Sequence, residues 1–163
     1  RGRNMNKPIL DACCGAKMFH FDRNNPLVLF MDNRKGDFSC HGREILVTPD
    51  LVGDFRDMPL EDETFNLVIF DPPHLKNVGN TSYMAAKYGR LSENWRDDLQ
   101  EGFNECWRVL KQGGTMVFKW SDVQIKLSDI KDMFPAEPIC GNRMPKNSGT
   151  HWFVFFKPTR VEE

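Results

Sequence analysis

Five aspartates follow apolar segments of this sequence at the points where those segments end. The segments are predicted strands, and the acids at or just after their ends are Asp11, Asp32, Asp54, Asp71 and Asp122. Aspartate often follows a strand simply as a turn-forming residue, and for any single position that explanation is sufficient. The whole row instead indicates a ligand site along one sheet edge, because ligands of open α/β sheets bind at the carboxyl ends of the strands.

Strands and helices alternate along the chain. The predicted strands are residues 7–12, 27–31, 65–70, 115–120 and 151–157, with weaker candidates at 45–47 and near 51–52. Apolar residues at helical spacing predict a long helix over 92–110, ended by Gly113-Gly114. Shorter helices are predicted over 17–21 and 123–133. This alternation predicts an α/β fold with a mostly parallel sheet and helices on both faces.

Length and composition describe an ordinary globular chain. Its 163 residues suit one domain, which we expect to span residues 5–163, with residues 1–4 an expression remnant ahead of Met5. The net charge is −1, so any contact with nucleic acid needs a local basic patch or a partner. The five cysteines form no CxxC pair, which indicates reduced thiols in a cytoplasmic protein without a metal site. No apolar run reaches roughly 18 residues, so no membrane contact is expected.

From Pro8 to Pro158 the chain resembles the class I methyltransferases that use S-adenosylmethionine. Three segments carry the resemblance: LDACCG at 10–15, GDFRDMP at 53–59 with FNLVIFD at 65–71, and WRVLKQGG at 107–114. Each segment alone is moderately specific, whereas their order and spacing together are strong. The resemblance implies a Rossmann-like fold with an antiparallel C-terminal strand, and S-adenosylmethionine as the cofactor.

The same resemblance implies which residues surround the cofactor. They are Asp11, Cys13, Gly15, Lys17, Asp32, Asp54 and Phe55. Gly15 allows close backbone approach because it has no Cβ, and Asp32 is expected to accept hydrogen bonds from the ribose hydroxyls. Asp54 is expected to accept from the adenine amine, with Phe55 packed on the adenine face. Cys13 and Lys17 stand where the family commonly has further glycines, and Lys17 either attracts the cofactor carboxylate or is a solvated residue.

The tetrapeptide Asp71-Pro72-Pro73-His74 is similar to the fourth motif of the amino-methyltransferases, an Asp or Asn, two prolines and an aromatic ring. An exocyclic amine is a poor nucleophile because its lone pair is conjugated into the base. The Asp71 carboxylate and the Pro72 carbonyl can accept its two hydrogens and turn that lone pair toward the methyl group, while the prolines fix the turn. His74 is expected to stack on the base. The implied substrate is adenine N6 in DNA.

A mixture of rings and cations between residues 76 and 90 is expected to hold the nucleic acid. The residues are Tyr83, Lys87, Tyr88 and Arg90, joined by Arg143 and Lys146 from the loop before the last strand. An ordinary surface loop is an equal alternative for each of them. The target base must be flipped or unpaired to reach such a site. Because the chain has no room for a separate recognition domain, specificity is expected to be low or to come from a recognition subunit or a homo-oligomer.

Alternative functions stay open. The acceptor is either DNA or, as the second choice, an adenine of RNA. A catalytically inactive methyltransferase-like partner subunit is a further alternative, although such copies often lose the tetrapeptide that is intact here. Lys119 resembles the catalytic lysine of ribose methyltransferases, but the further lysine and glutamate of that family are not matched.

Overall fold

The sheet is built from short strands in the α/β order that the sequence predicts. The computed structural model describes residues 7–77, 79, 83–142 and 149–161. Its elements are β1 (Ile9–Asp11), β2 (Val28–Asp32), β3 (Gly36–Asp37), β4 (Leu46–Val47), β5 (Leu51–Val52), β6 (Phe65–Phe70), α1 (Tyr83–Tyr88), α2 (Trp95–Val109), β7 (Leu110–Ser121), β8 (Cys140–Gly141) and β9 (Thr150–Phe156). Within these ranges, seven strands form one sheet in the order β5-β2-β1-β6-β7-β9-β8, and β3 pairs with β4 alone.

Strand direction confirms the predicted fold class. The pairs β5/β2, β2/β1, β1/β6 and β6/β7 are parallel, whereas β9 runs antiparallel to both β7 and β8. Leu10 lies opposite Leu29 and Val68, and Phe70 lies opposite Phe118. Since parallel strands in register end at one sheet edge, the residues that follow β1, β2 and β6 emerge side by side.

Helix α2 covers one face of the sheet through an apolar stripe. Its buried Leu99, Phe103 and Cys106 recur at the spacing of one helical face. The Phe103 ring lies 5.3 Å from that of Phe70 and 4.8 Å from that of Phe118, centroid to centroid. This aromatic layer anchors β6 and β7, the two strands that lead into the site.

Two of the predicted helices are wrong. The long helix predicted over 92–110 is present as Trp95–Val109. Residues 17–21 form turns, because Lys17 has a φ of 56°, outside the right-handed helical region. Residues 123–133 contain only the short 3₁₀ turns Leu127–Asp129 and Lys131–Met133, since Lys126 is extended with ψ 146°. Helix α2 ends at Val109, and β7 begins directly at Leu110.

The second sheet face, which points away from α2, lacks the predicted helix among the residues that the structure describes. In the described ranges, turn residues pack there: His20 meets Phe30 edge-on at 4.8 Å, and Phe19 meets Trp152 edge-on at 5.7 Å. The segment between β1 and β2 forms turns, because Gly15 and Lys17 both have a positive φ. Among the described helices, none is long and apolar enough to cross a membrane.

Replacing Phe118 by alanine tests the aromatic layer. Phe118 is fully buried between α2 and the sheet, so Phe118→Ala should lower the free energy of unfolding by about 3–5 kcal/mol. Phe156→Ala, on neighbouring β9, is the control, because that ring is 46% exposed and its loss should cost less than about 1 kcal/mol. Denaturant unfolding measures both, and equal losses would contradict this packing.

Candidate functional site

A cavity of about 390 Å³ opens at the carboxyl edge of the sheet. Its wall is formed by residues 12–16, 18 and 19 after β1, 32–34 at the end of β2, Phe55, the Asp71–Pro73 turn, residues 89–90 and Lys119 of β7. The volume suits a small-molecule or cofactor site. The cavity lies at the sheet edge where the row of aspartates was expected, and two of the five, Asp32 and Asp71, line it.

Asp32 is held by backbone amides from two elements. The Gly15 amide donates to its Oδ2 at 2.8 Å, and the Arg34 amide donates to its Oδ1 at 2.9 Å. Gly15 has a φ of 48°, so a glycine suits this turn. Arg34 Nε also lies 3.3 Å from Oδ1, while its Nη1 donates to the Ala86 carbonyl at 2.9 Å. Asp32 thus lines the cavity in a fixed orientation, tied through Arg34 to α1.

Asp11 lies behind the cavity wall and supports the turn. It is fully buried, its Oδ2 is 2.6 Å from His20 Nε2, and its Oδ1 accepts from the Cys13 amide at 3.2 Å. Burial raises the pKa of Asp11, and the His20 contact opposes that rise. Cys13 lines the cavity, so this hydrogen bond shapes the cavity floor.

Lys17 points away from the cavity. Its Nζ lies 4.1 Å from the centre of the Phe30 ring and donates to the Arg23 carbonyl at 3.1 Å. These contacts hold the ammonium on the second sheet face. The geometry does not favour the predicted contact with a cofactor carboxylate.

The side chains of Asp54 and Phe55 point in different directions. The Asp54 carboxylate is bound by Arg56, with Nη2 at 2.6 Å from Oδ2, and Arg56 holds its pKa below the usual range. Arg56 also pairs with Asp98 of α2 at 2.9 Å. Phe55 lines the cavity, whereas the Asp54 side chain lies outside the cavity wall. An adenine contact by this carboxylate would have to compete with Arg56.

Asp71 and the two prolines form the wall opposite Asp32. Lys119 Nζ donates to Asp71 Oδ2 at 3.1 Å. Burial raises the pKa of Asp71 to about 6, against the lowering effect of Lys119 and with a further rise from Asp11. The carboxyl is thus poised near neutrality, as is common at functional sites.

His74 is displaced from the place that the sequence predicted for it. It is only 7% exposed, outside the cavity wall, and its ring meets Trp120 edge-on at 6.2 Å. Burial, and then Lys119, lower its pKa to about 4, so the imidazole is neutral at pH 7. The chain turns inward after the prolines, and the ring packs in the interior. The rings in the wall are instead Phe19 and Phe55.

The predicted nucleic-acid residues are described in part. Arg90 is exposed and lines the cavity, and the Tyr83 ring lies under the Arg43 guanidinium at 4.7 Å. Lys87 and Tyr88 belong to α1, but their side chains are outside the described part of the chain. Arg143 and Lys146 also lie outside the described residues. Among those described, no group of three or more His, Cys, Asp or Glu side chains could hold a metal ion.

Several wall residues were not among the predicted site residues, Arg34 and Phe19 among them. Arg34 follows Asp32 by two residues, a spacing at which an aspartate commonly accepts from the backbone. Phe19 was assigned to a helix, and its position became evident only once the turn after β1 was placed. Closeness to the end of β2 was a signal for Arg34, whereas Phe19 lies well beyond β1 and has no such signal in the local sequence.

Comparison with known proteins gives the fold a name. No family model matches the chain, and no curated protein matches it. Solved structures do match. A Pyrococcus horikoshii protein aligns with 93% of this chain and 81% of its own at 16% identity, with a TM-score of 0.57. A Leishmania major S-adenosylmethionine-dependent methyltransferase aligns with 90% of this chain at 13% identity and a TM-score of 0.53.

The chain has the class I methyltransferase fold. It spans 63% of the Leishmania major enzyme. A third match is a Haloferax volcanii methyltransferase solved with the Trm112 methyltransferase activator. It covers 94% of this chain and 84% of its own at 14% identity, with a TM-score of 0.52. At these identities the matches establish architecture, and the chemistry must be argued from the site.

Gly102 of α2 tests how Phe55 is positioned. A Cβ there would lie 2.6 Å from Phe70 Cζ and 2.7 Å from Phe55 Cδ2. Gly102→Ala should therefore lower the free energy of unfolding by about 1–3 kcal/mol through overpacking, outweighing a helix-propensity gain of at most about 1 kcal/mol.

Gly79→Ala is the control, because none of the residues that the structure describes lies within 4 Å of a Cβ at that position. Its effect should stay within about 0.5 kcal/mol. Denaturant unfolding compares the two variants. A Gly102→Ala protein as stable as the wild type would mean that Phe55 is not held by close contact with α2.

Proposed function

We propose that the protein is an S-adenosylmethionine-dependent methyltransferase that acts on an exocyclic amine of a nucleobase, with adenine N6 in DNA as the preferred acceptor. The observation that carries the proposal is the Asp71 carboxylate, which shares one cavity with Asp32 and Gly15. The fold supports the class of reaction, and the Asp71–Pro73 turn supports the class of acceptor.

The cavity residues fit the proposed cofactor. Asp32 has a fixed carboxylate at a strand end, suited to two adjacent hydroxyls, and Gly15 leaves the backbone open to close approach. Phe55 offers a ring face for the adenine. When bound, the cofactor would supply an electrophilic methyl group.

In this mechanism Asp71 orients the acceptor amine. Its carboxylate and the Pro72 carbonyl accept the two amine hydrogens, which turns the nitrogen lone pair toward the cavity centre. The amine becomes acidic as it gains a methyl group, and Asp71, with a pKa of about 6, can take the released proton. The buried prolyl turn holds both acceptors before the substrate arrives.

His74 is buried against Trp120, so in this proposal Phe19, which lines the cavity, contacts the substrate base in its place. Arg90 at the cavity mouth suits a flanking phosphate. With a net charge of −1, the protein would grip nucleic acid locally and favour an unpaired or easily flipped base. RNA adenine is the second candidate acceptor. The neighbour solved with the Trm112 methyltransferase activator supports the idea that this chain acts together with a partner subunit.

Asp32 provides the test of cofactor binding. Wild-type protein should bind S-adenosylhomocysteine, and Asp32→Ala should weaken binding roughly 10- to 100-fold through the loss of charge-assisted hydrogen bonds. Asp97→Ala, on the exposed first turn of α2, should leave the affinity unchanged. Calorimetry measures all three. No heat and no melting shift of the wild type at millimolar ligand would exclude the proposed cofactor.

Asp71 provides the test of the reaction. Asp71→Ala should lower methyl transfer to DNA roughly 100- to 1,000-fold, while the affinity for S-adenosylhomocysteine stays within a few fold. The assay follows labelled methyl groups into DNA, RNA and protein and identifies the methylated nucleoside. Label in N4-methylcytosine, in RNA or in protein alone would refute adenine N6 in DNA as the acceptor. Near-full activity of the variant would remove Asp71 from the mechanism.

A further inference from the structure

Lys119 occupies a fixed position between Asp71 and two aromatic rings. Its Nζ lies 3.1 Å from Asp71 Oδ2, 5.3 Å from the centre of the Phe19 ring and 5.7 Å from that of Trp152. The side chain is 22% exposed, so solvent screens it only in part. Cation–π attraction from the two rings holds the ammonium where it can pair with the carboxylate.

The pairing follows from the register of the sheet. Phe70 pairs with Phe118, so Asp71 and Lys119 follow at the same height on adjacent parallel strands. Lys119 of β7 lies opposite Trp152 of β9, which brings that ring beside the ammonium. In the part of the chain that the structure describes, no second ion pair to Asp71 is present.

The other charged or titratable groups near Asp71 do not replace Lys119. From β1, Asp11 favours the protonated form of Asp71, as burial does. Asp32 from β2 and the Cys13 thiol line the same cavity, and His74 from the same loop is neutral at pH 7. Arg34 and Arg90 also lie in the wall, and the Arg34 guanidinium is bound to Asp32 and to the Ala86 carbonyl.

We propose that Lys119 is a positioning residue for methyl transfer, which keeps Asp71 ionised and binds its Oδ2 so that Oδ1 is free to accept from the substrate amine. This inference rests on the proposed function. A protonated Asp71 would carry a donor hydrogen and could not serve both as acceptor for the amine and as proton acceptor after transfer. Lys119 itself would touch no reacting atom.

The pH dependence of activity separates this role from a structural one. Wild-type kcat/KM should rise with pH through about 6, because Asp71 must lose its proton to act. In Lys119→Met the attraction is lost, so the acid limb should move up by about one pH unit or more. Activity should then be lowered at pH 7 and largely recovered at pH 9.

Two further variants sharpen the test. Lys119→Arg keeps the charge, and its acid limb should stay near that of the wild type. Lys126→Met removes an exposed lysine beyond the end of β7 and should change nothing. An equal loss for Lys119→Met at every pH would overturn the proposal. So would an inactive Lys119→Arg together with methyl label in ribose, since Lys119 would then act as a base.

A direct titration keeps the inference testable even if no substrate is methylated. Carbon-13 NMR of the Asp71 carboxyl, assigned with Asp71→Asn, should give a midpoint near 6 in the wild type and a higher one in Lys119→Met and Lys119→Gln. Identical midpoints would overturn the role of Lys119. A raised midpoint without methyl transfer to any nucleic acid would leave that role standing while refuting the proposed function.

Discussion

The parallel register of β2, β1, β6 and β7 determines where Asp11, Asp32, Asp71 and Lys119 lie relative to one another. Asp11 pairs with Phe30 on one side and Ile69 on the other, so Asp32 and Asp71 each lie two residues farther along their strands. The Phe70–Phe118 pair then sets Lys119 beside Asp71. A slip of one residue would turn these side chains to the opposite face of the sheet. The aromatic layer beneath α2 stabilises that register, because Phe70 and Phe118 both belong to it.

The convergence of three carboxylates at one edge requires a separate compensating contact for each. Asp32 has two backbone amides, Asp11 has His20 and the Cys13 amide, and Asp71 has Lys119. Buried charges without such partners would be costly. The compensation is incomplete at Asp71, whose pKa is raised to about 6 by burial. That incomplete balance is what makes this carboxyl suitable for receiving a proton near neutral pH.

The sequence predicted the parts of the fold that depend on strong local patterns. Continuous apolar runs predicted β2 and β6, and helical spacing predicted α2 within a few residues. The helix over 17–21 failed because periodicity over five residues carries little information and the left-handed Lys17 lies within it. Asp32 at the end of β2 and Asp71 directly after β6 were predicted from their positions, and both line the cavity. The Lys119–Asp71 pair and the burial of His74 against Trp120 depend on strand register and on the path after the prolines, which local sequence does not specify.

In the proposed function, one cavity holds the methyl donor with its reactive end toward Asp71. A crystal structure of the protein with S-adenosylhomocysteine tests this most directly. We expect the ribose hydroxyls to bind Asp32, the adenine to pack against Phe55 and the sulfur to face the Asp71–Pro73 turn. Lys119 should still be paired with Asp71. A ligand bound on the second sheet face beside Trp152 would contradict this placement. So would a ligand bound in this cavity with its sulfur turned away from Asp71.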